Sequence, residues 1–331
     1  MQRKYKLTDE IIEFDGRTLY RIEALTDFGI YKAGAQGGFI ESEKNLSQEG
    51  KCWVKGNAKV FDNAKVTDDA EVRGNAIVYN DARVCEEARV SGNAQVYGEA
   101  KVYDMGHIYG EAKVYGNAQV CGDVYDNAQV YENAQVRGVA QIYGEARVYG
   151  NAIIKNNAEI SHNAEVYDNG EVFNFAKVRD NAKVYEDAQV YGKAVVSCNA
   201  QIYGYARVRG DESYIYDNAR VYGNACIKGS VYGNAEVYDD AQVYENAKVY
   251  GNAKVYEEAQ VFYYAKVYEN ALVYGFARVE AQVYGDAQVY NFAELSDNAH
   301  VYGKAKVFGN AKVRGPEKIY GDALVYGTWD I

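Results

Sequence analysis

The sequence predicts an all-β fold, a single-stranded parallel β-helix of triangular coils, and three observations carry this prediction. A six-residue phrase recurs through most of the 331 residues, for example as Asn246–Gly251 and again as Asn252–Glu257. Each phrase runs small, polar, aliphatic and aromatic between turn-forming residues, which is the pattern of a short strand between two corners. The phrase is too short to fold alone, so successive copies have to stack on one another.

Within one phrase the residues alternate between the inside and the outside of the coil. Ala247 and Val249 share one side of the strand, and Lys248 and Tyr250 share the other. Three strands and three corners close one coil of about 18 residues. An interior of alanine and valine is narrow and dry, so we expect it to leave no room for a ligand.

The first fifty residues lack the phrase and are expected to cap the helix. An uncapped first coil would present unpaired strand edges, so we predict an irregular or helical covering segment, with a separate binding module as the alternative. Ile40 and Leu46 lie six residues apart, so the first coil begins inside this segment. We therefore divide the chain into a cap, residues 1–50, and a β-helix, residues 51–331.

The last coil departs from the phrase and is predicted to act as a C-terminal plug. Glu317 and Trp329 stand where alanine is the rule, and Gly315-Pro316 stands at a corner. A bulky residue at an inward position closes the core, so we expect Trp329 to cover the last coil.

Counting the inward aliphatic residues gives the number of coils. They recur every six residues in the blocks 54–120, 124–208, 215–227, 231–279 and 283–331. Each block holds a multiple of three phrases, which makes about 16 coils and places all four breaks at the same corner. A corner that tolerates such edits is either a free outer edge or a groove for a partner.

One outward column, with one position in each coil, is aromatic throughout. It consists of Phe61, Tyr79, Tyr97, Tyr115, Tyr131, Tyr149, Tyr167, Tyr185, Tyr203, Tyr222, Tyr238, Tyr256, Tyr274, Tyr290, Phe308 and Tyr326. The other two columns are mixed, with Arg73, Ser91, Ser161 and Arg179 among the tyrosines of one, and Cys85, Arg137, Lys155, Arg209, Lys228 and Glu280 in the other.

The aromatic column has two interpretations. Rings one strand apart can stack and stabilise the coils by about 0.5–1.5 kcal/mol per pair. The column is also a candidate contact surface for another protein, a second copy of the chain or an extended polymer. Basic residues flank it at Lys59, Lys113, Arg147, Lys183, Arg220, Lys254 and Lys306, against acids only at Glu165 and Glu236.

Composition limits the partners and the compartment. The net charge of -11 disfavours nucleic acid, and no apolar run is long enough to span a membrane. The start of the chain lacks the apolar stretch of a secretory signal, so we expect a cytoplasmic protein. Five scattered cysteines predict free thiols and no metal site. Acidic corner pairs such as Asp68-Asp69 are predicted to be solvated, with weak binding of divalent cations as the alternative.

The cap residues resemble a known family. Leu19–Leu25, Gly37–Gly50 and Cys52–Val54 look like the start of YdcK-type hexapeptide-repeat proteins. The resemblance implies a left-handed β-helix, and the family's acyltransferase label implies an acyl-CoA-dependent acetyltransferase with a site between subunits. Two features depart from acyltransferases of this fold. The second position of the hexapeptide, often small or acidic there, is mostly tyrosine here, and the loop that those enzymes extrude beside a catalytic histidine is missing.

The chain offers few candidates for the general base of an acyl transfer. Of three histidines, His107 and His300 occupy outward strand positions of one face, and His162 replaces a corner residue. No catalytic residue is assigned, and acetyl-CoA or another acyl-CoA is a cofactor only under the acyltransferase alternative. The sequence favours a non-enzymatic scaffold without a cofactor, which contacts a second copy or another protein through the aromatic column.

Overall fold

The six-residue phrase forms the same local structure wherever it occurs in the computed structural model, which describes residues 3–327. The polar and the aliphatic residue form a two-residue strand, as at Lys248–Val249. The corner follows the aromatic residue, and its first position has a positive φ, as at Gly251 with φ 72°. Glycine adopts this backbone without steric cost, and Asn, Asp and Glu take the same position in many coils. The all-β prediction is confirmed, since the described helix is a single 3₁₀ turn, Glu43–Asn45.

Acidic residues at the corners bind the backbone of the next coil. The Asp62 carboxylate accepts a hydrogen bond from the Asn80 N–H at 3.1 Å. In the same way the Glu269 carboxylate accepts from the Gly285 N–H at 2.8 Å. Backbone N–H groups at tight turns lack a partner inside the coil, so a carboxylate from the preceding coil satisfies them. Asp68, which belongs to an acidic pair predicted to be solvated, makes the same contact, because its carboxylate accepts from the Glu86 N–H at 3.1 Å. These backbone contacts explain why acids crowd the corners.

The chain divides into two compact units, residues 1–162 and 163–331. Each unit contains three parallel sheets, and every coil gives one strand to each sheet. We call the sheet whose strands precede the aromatic column the first sheet, and the next two along the chain the second and third sheets. Neighbouring strands pair in register, as Gln95 with Lys113 and Val96 with Val114. The parallel β-solenoid of about 16 coils is thereby confirmed.

In residues 1–162 three longer strands precede the short ones: β1 (Tyr5–Phe14), β2 (Arg17–Ala24) and β3 (Gln36–Ile40). The first sheet continues with β5 (Lys59–Val60), β8 (Ile77–Val78), β11 (Gln95–Val96), β14 (Lys113–Val114), β17 (Gln129–Val130) and β20 (Arg147–Val148). The second sheet holds β6 (Lys65–Val66), β9 (Arg83–Val84), β12 (Lys101–Val102), β15 (Gln119–Val120), β18 (Gln135–Val136) and β21 (Ile153–Ile154). The third sheet holds β4 (Trp53–Val54), β7 (Glu71–Val72), β10 (Arg89–Val90), β13 (His107–Ile108), β16 (Asp123–Val124), β19 (Gln141–Ile142) and β22 (Glu159–Ile160).

In residues 163–331 the first sheet holds β23 (Glu165–Val166), β26 (Lys183–Val184), β29 (Gln201–Ile202), β32 (Arg220–Val221), β35 (Glu236–Val237), β38 (Lys254–Val255), β41 (Leu272–Val273), β44 (Gln288–Val289), β47 (Lys306–Phe308) and β50 (Leu324–Tyr326). The second sheet holds β24 (Glu171–Val172), β27 (Gln189–Gly192), β30 (Arg207–Gly210), β33 (Cys226–Ile227), β36 (Gln242–Val243), β39 (Gln260–Val261), β42 (Arg278–Val279), β45 (Glu294–Leu295) and β48 (Lys312–Val313). The third sheet holds β25 (Lys177–Val178), β28 (Val195–Val196), β31 (Tyr214–Ile215), β34 (Ser230–Val231), β37 (Lys248–Val249), β40 (Lys266–Val267), β43 (Gln282–Val283), β46 (His300–Val301) and β49 (Lys318–Ile319).

The core of each coil is made of the alanine and the aliphatic residue of each phrase. Ala247 and Val249 are fully buried, as are their equivalents in nearly every coil. Small and branched side chains fill a narrow triangular interior at the density of a folded core. The predicted division into inward and outward positions is therefore confirmed.

All four breaks lie where a second-sheet strand leads into a third-sheet strand, as predicted. At three of them one small residue replaces the two-residue corner and the alanine: Gly122, Gly229 and Ala281. A Cβ atom at Gly122 would lie 2.5 Å from the Ala140 carbonyl oxygen, and one at Gly229 would lie 2.4 Å from that of Ala247. The backbone at these two glycines therefore lies too close to the next coil for a side chain, and the strands on either side keep their register.

The N-terminal segment differs from the predicted irregular or helical cap. β1 and β2 form an antiparallel hairpin, and β3 pairs antiparallel with β2 and parallel with β5. A strand satisfies the open edge of β3 along its whole length, which a helix or loop does not. The first coil begins where predicted, because Ile40 pairs with Val60 and Leu46 forms a bridge with Val66.

A buried lysine fixes the start of the hairpin to the first coil. Lys4 is 5% exposed, and its Nζ donates to the carbonyl oxygens of Glu49 and Cys52, each at 3.1 Å. The ammonium group also lies 5.3 Å from the centre of the Phe28 ring. A buried charge is tolerated only where hydrogen bonds replace its hydration, and these contacts supply them.

We expect Lys4→Met to loosen the hairpin, because it leaves the buried carbonyl groups without their donor at a cost of about 1–3 kcal/mol. Hydrogen exchange of the β1 amides measures the effect locally and should speed up. Lys6→Met is the control, since Lys6 lies only two residues further on, in β1, but is half exposed and pairs with Glu23 at 3.3 Å on the surface. Equal acceleration in the two variants would contradict the anchoring role of Lys4.

At the other end, Glu317 is exposed and does not fill the core. Its carbonyl oxygen accepts a hydrogen bond from the His300 N–H at 2.8 Å. Ile319 and Val325 are partly exposed, unlike the fully buried aliphatic residues of the inner coils. Trp329, the predicted plug, lies outside the described residues, so its role stays a prediction.

Deletion of residues 315–331 should cause aggregation, because it removes β49 and β50 and leaves β46 and β47 as open edges. Light scattering of the purified chain checks this. A chain that ends at residue 327 keeps both strands, so comparing the two truncations separates the effect of open edges from that of Trp329. A monomeric, soluble chain lacking residues 315–331 would refute the prediction.

Candidate contact surface

The predicted aromatic column lies on the first sheets, where each ring directly follows the buried aliphatic residue of a strand. We call its rings the first ladder. In residues 1–162 the first ladder consists of Phe61, Tyr79, Tyr97, Tyr115, Tyr131 and Tyr149. In residues 163–331 it consists of Tyr167, Tyr185, Tyr203, Tyr222, Tyr238, Tyr256, Tyr274, Tyr290, Phe308 and Tyr326.

Successive rings of the first ladder are stacked nearly parallel. The centres of Tyr97 and Tyr115 lie 4.8 Å apart with 2° between the ring planes, and Tyr222 and Tyr238 lie 4.8 Å apart with 1°. Neighbouring strands of a sheet are about 4.7–4.9 Å apart, so the strand spacing sets the ring spacing. Each ring covers the face of the next, and the partly exposed edges and hydroxyl groups form the surface. This agrees with the expected structural contribution of the stack.

Both acidic residues beside the first ladder are paired with basic neighbours. Lys183 lies 3.2 Å from Glu165, and Glu236 lies between Lys254 at 3.0 Å and Arg220 at 3.9 Å. Such exposed pairs add little stability, but they cancel the charge of both acids that interrupt the basic flank. The flank as a whole keeps its excess of basic residues, because seven bases face only these two acids.

A second ladder follows the third-sheet strands, and the sequence analysis missed it. In residues 1–162, Tyr109, Tyr125 and Tyr143 stack with centres 4.8 and 4.9 Å apart. In residues 163–331 the second ladder is Tyr216, Tyr232, Tyr250, Tyr268, Tyr284, Tyr302 and Tyr320, with centres 4.7–5.4 Å apart. Serines and arginines interrupt this column near the middle of the chain. The uninterrupted run of tyrosines can be recognised in the sequence only when residues 216–320 are considered alone.

Stacking also shifts the ionisation of the ladder tyrosines. Burial raises the pKa of Tyr185 to about 12, and the phenols of Tyr167 and Tyr203 add to the effect. On the second ladder, burial and the neighbours Tyr216 and Tyr250 raise the pKa of Tyr232 to about 12. A phenolate in a stack is poorly hydrated and repels the next one, so the neutral form is favoured.

The structure does not bring the three histidines together into one site. His107 in β13 shares a hydrogen bond between its Nε2 and the Ser91 hydroxyl at 3.3 Å, and burial lowers its pKa. Asp123 is its neighbour on the next strand, but within residues 3–327 no hydrogen bond joins it to the imidazole. Ser91, His107 and Asp123 therefore lie in a row on neighbouring coils, without the hydrogen bond from the acid that orients the histidine of a triad.

His162 is exposed, whereas His300 is partly buried. The Nδ1 of His162, at its corner, is 3.2 Å from the Ser161 hydroxyl. His300 in β46 meets the edge of the Tyr284 ring at 6.3 Å.

The described part of the chain contains no group of three or more His, Cys, Asp and Glu side chains that could hold a metal ion. All five cysteines are free thiols, and Cys52 is buried. Among residues 3–327 there is no helix of the length and apolarity that a membrane span requires.

A comparison with models of protein families matches part of the chain. Residues 140–156 and 214–229 fit the family model described as YdcK beta solenoid repeat. No curated protein matches the chain. The predicted resemblance to YdcK-type repeats is thus confirmed in the repeats themselves, with one matching stretch in each unit.

The raised tyrosine pKa values predict loss of stability in alkali. In the unfolded chain tyrosine ionises near pH 10, whereas Tyr185 and Tyr232 in the folded chain ionise at about pH 12. The stability that the raised tyrosine pKa values contribute is fully present below pH 10. It is lost as the pH rises toward 12, because the unfolded chain then releases protons first. Tyrosinate absorbance should rise later in the folded protein than in denaturant. Coincident titration curves would contradict this.

Proposed function

We propose that this protein, which is built from YdcK-type β-solenoid repeats, is a non-enzymatic scaffold that contacts a second protein through the first ladder. The observation that carries the proposal is the regular stack of rings, which presents a row of ring edges and hydroxyl groups. We propose a second copy of the chain as the partner, with a different protein as the alternative.

The ladder hydroxyl groups support a role beyond stacking. A phenylalanine stack would have the same ring contacts, yet nearly all positions are tyrosine. The hydroxyl groups of Tyr222, Tyr238, Tyr256 and Tyr274 make no hydrogen bond to any residue from 3 to 327, whereas that of Tyr185 donates to Gln201 at 3.4 Å. A row of partly exposed hydroxyl groups can exchange water for donors and acceptors across an interface, where tyrosine is favoured.

The spacing of the first ladder favours a second copy as the partner. The rings of the first ladder recur about every 4.8 Å. A partner can contact every ring in the same way only if its own surface has the same repeat. A second copy has that repeat by construction and can meet the first through the same face, as in an isologous interface. The net charge of -11 opposes association, but the acids lie mainly at the corners and those beside the ladder are paired.

In this proposal the protein has no catalytic role. The three histidines lie on open strand or corner positions and contact hydroxyl groups or rings. We also propose the cytoplasm as the compartment, since five free thiols fit a reducing environment.

The proposal is tested by removing rings from one face at a time. Tyr222, Tyr238, Tyr256 and Tyr274 are replaced together by threonine, which keeps the preference for strands. Each lost ring pair should cost about 0.5–1.5 kcal/mol of stability, and the coils should still form. Sedimentation velocity should show that the unchanged chain associates and that this variant is monomeric.

The matched control replaces Tyr232, Tyr250, Tyr268 and Tyr284, which lie in the same coils on the second ladder with the same stacking. It should lose similar stability and still associate. The second-copy proposal fails if the unchanged chain is a monomer or if both variants associate normally. Saturable binding of acetyl-CoA in calorimetry would support the acyltransferase alternative instead.

A further inference from the structure

A shallow groove runs along the second sheet of residues 163–331, on a different face from both ladders. It consists of three adjoining hollows of about 290, 420 and 480 Å³, and Arg278 contributes to all three. The groove lies over β39, β42 and β45, where the outward residue of each strand forms the floor. Its lining contains aromatic residues that belong to neither ladder.

The floor of the groove is polar and periodic. Gln260 pairs in register with Arg278, which pairs in register with Glu294. An amide, a guanidinium and a carboxylate therefore follow one another at the strand spacing of about 4.8 Å. The floor thus offers hydrogen-bond donors and acceptors once per coil.

Aromatic rings line both sides of this floor. Phe276 and Phe292 occupy corners on one side, are 48% and 57% exposed, and stack with their centres 4.9 Å apart. On the other side the Phe262 and Tyr263 rings meet edge to face at 5.3 Å. In the coils before and after the first pair the same corner holds Glu258 and Asn310, so the outer ring faces of Phe276 and Phe292 meet no further ring.

A sugar ring has apolar C–H faces and a rim of hydroxyl groups, which matches aromatic walls over a polar floor. We propose that this groove binds a neutral, unbranched oligosaccharide that lies along the sheet with about one sugar ring per coil. Charge supports a neutral ligand, because four basic and four acidic side chains line the three hollows. A polyanion would gain little attraction from such a balanced surface.

The sheet itself disfavours a peptide in the same groove. An extended peptide binds a sheet most strongly by adding a strand to an open edge, but each strand here pairs with a neighbour on both sides. The side chains on one face of an extended peptide recur about every 6.6 Å, so they would fall out of step with coils about 4.8 Å apart. Binding must therefore use the side chains of the floor and walls.

Calorimetry with three neutral hexasaccharides, cellohexaose, maltohexaose and hexa-N-acetylchitohexaose, tests the proposal, with hexagalacturonate as the acidic comparison. At least one neutral probe should bind saturably at or below millimolar concentration. Replacing both Phe276 and Phe292 with alanine should weaken that binding by about tenfold or more, as expected for aromatic anchors of an interface. Arg278→Gln, which keeps the Phe276 and Phe292 rings but removes the guanidinium that lies 5.5 Å from the centre of the Phe262 ring, should also weaken it.

The control variant replaces Phe175 and Tyr205, which are 56% and 63% exposed corner residues of the same unit outside the groove. It should bind as the unchanged chain does. Absence of binding by all neutral probes, tighter binding of hexagalacturonate, or equal weakening in the control would overturn the proposal. If the variant with Phe276 and Phe292 replaced does not melt cooperatively, the Arg278→Gln variant decides the test. Unchanged binding by that variant would overturn the proposal. This binding measurement does not depend on whether the chain self-associates. Its outcome is therefore independent of the proposed role of the first ladder.

Discussion

The hydrogen bonds between successive coils fix the spacing on which the rest of the structure depends. The Tyr97 N–H donates to the Val114 carbonyl at 3.0 Å, and the Lys113 N–H donates to that of Ala128 at 3.0 Å. This spacing suits parallel stacking of rings, brings each acidic corner within reach of the next N–H, and leaves an interior that alanine and valine fill. One backbone constraint thus explains the core, the corners and both ladders.

Periodic features were predictable from the sequence because a repeat shows each of them many times. The strand phrase, the common corner of the breaks and the first ladder all follow from spacing alone. The hairpin was not predictable in this way, since β1 and β2 carry no repeat and pair with a register shift between Leu7 and Ile11. Residues that occur once need tertiary contacts to explain them. Lys4 shows this, because its carbonyl partners lie more than forty positions away.

The groove was hidden from sequence reasoning for a related reason. Phe276 and Phe292 stand at corner positions, where aromatic residues look like isolated exceptions to a polar rule. Only the stacking of coils brings them to one side of Gln260, Arg278 and Glu294. The second sheet therefore differs in chemistry from the other two. The first and third sheets carry stacked phenols, and the second carries mixed polar and aromatic groups. A scaffold of this kind can separate its contacts by face.

The shortened corners have a consequence for how such a chain changes length. Gly122, Gly229 and Ala281 each replace a longer connection, yet the strands that follow keep their register. An inserted or lost single phrase would instead move every later side chain to the next face and break both ladders. Genetic duplication or loss is therefore tolerated in whole coils, or in small edits at this one corner. The gene can grow and shrink by coils while each face keeps its chemistry.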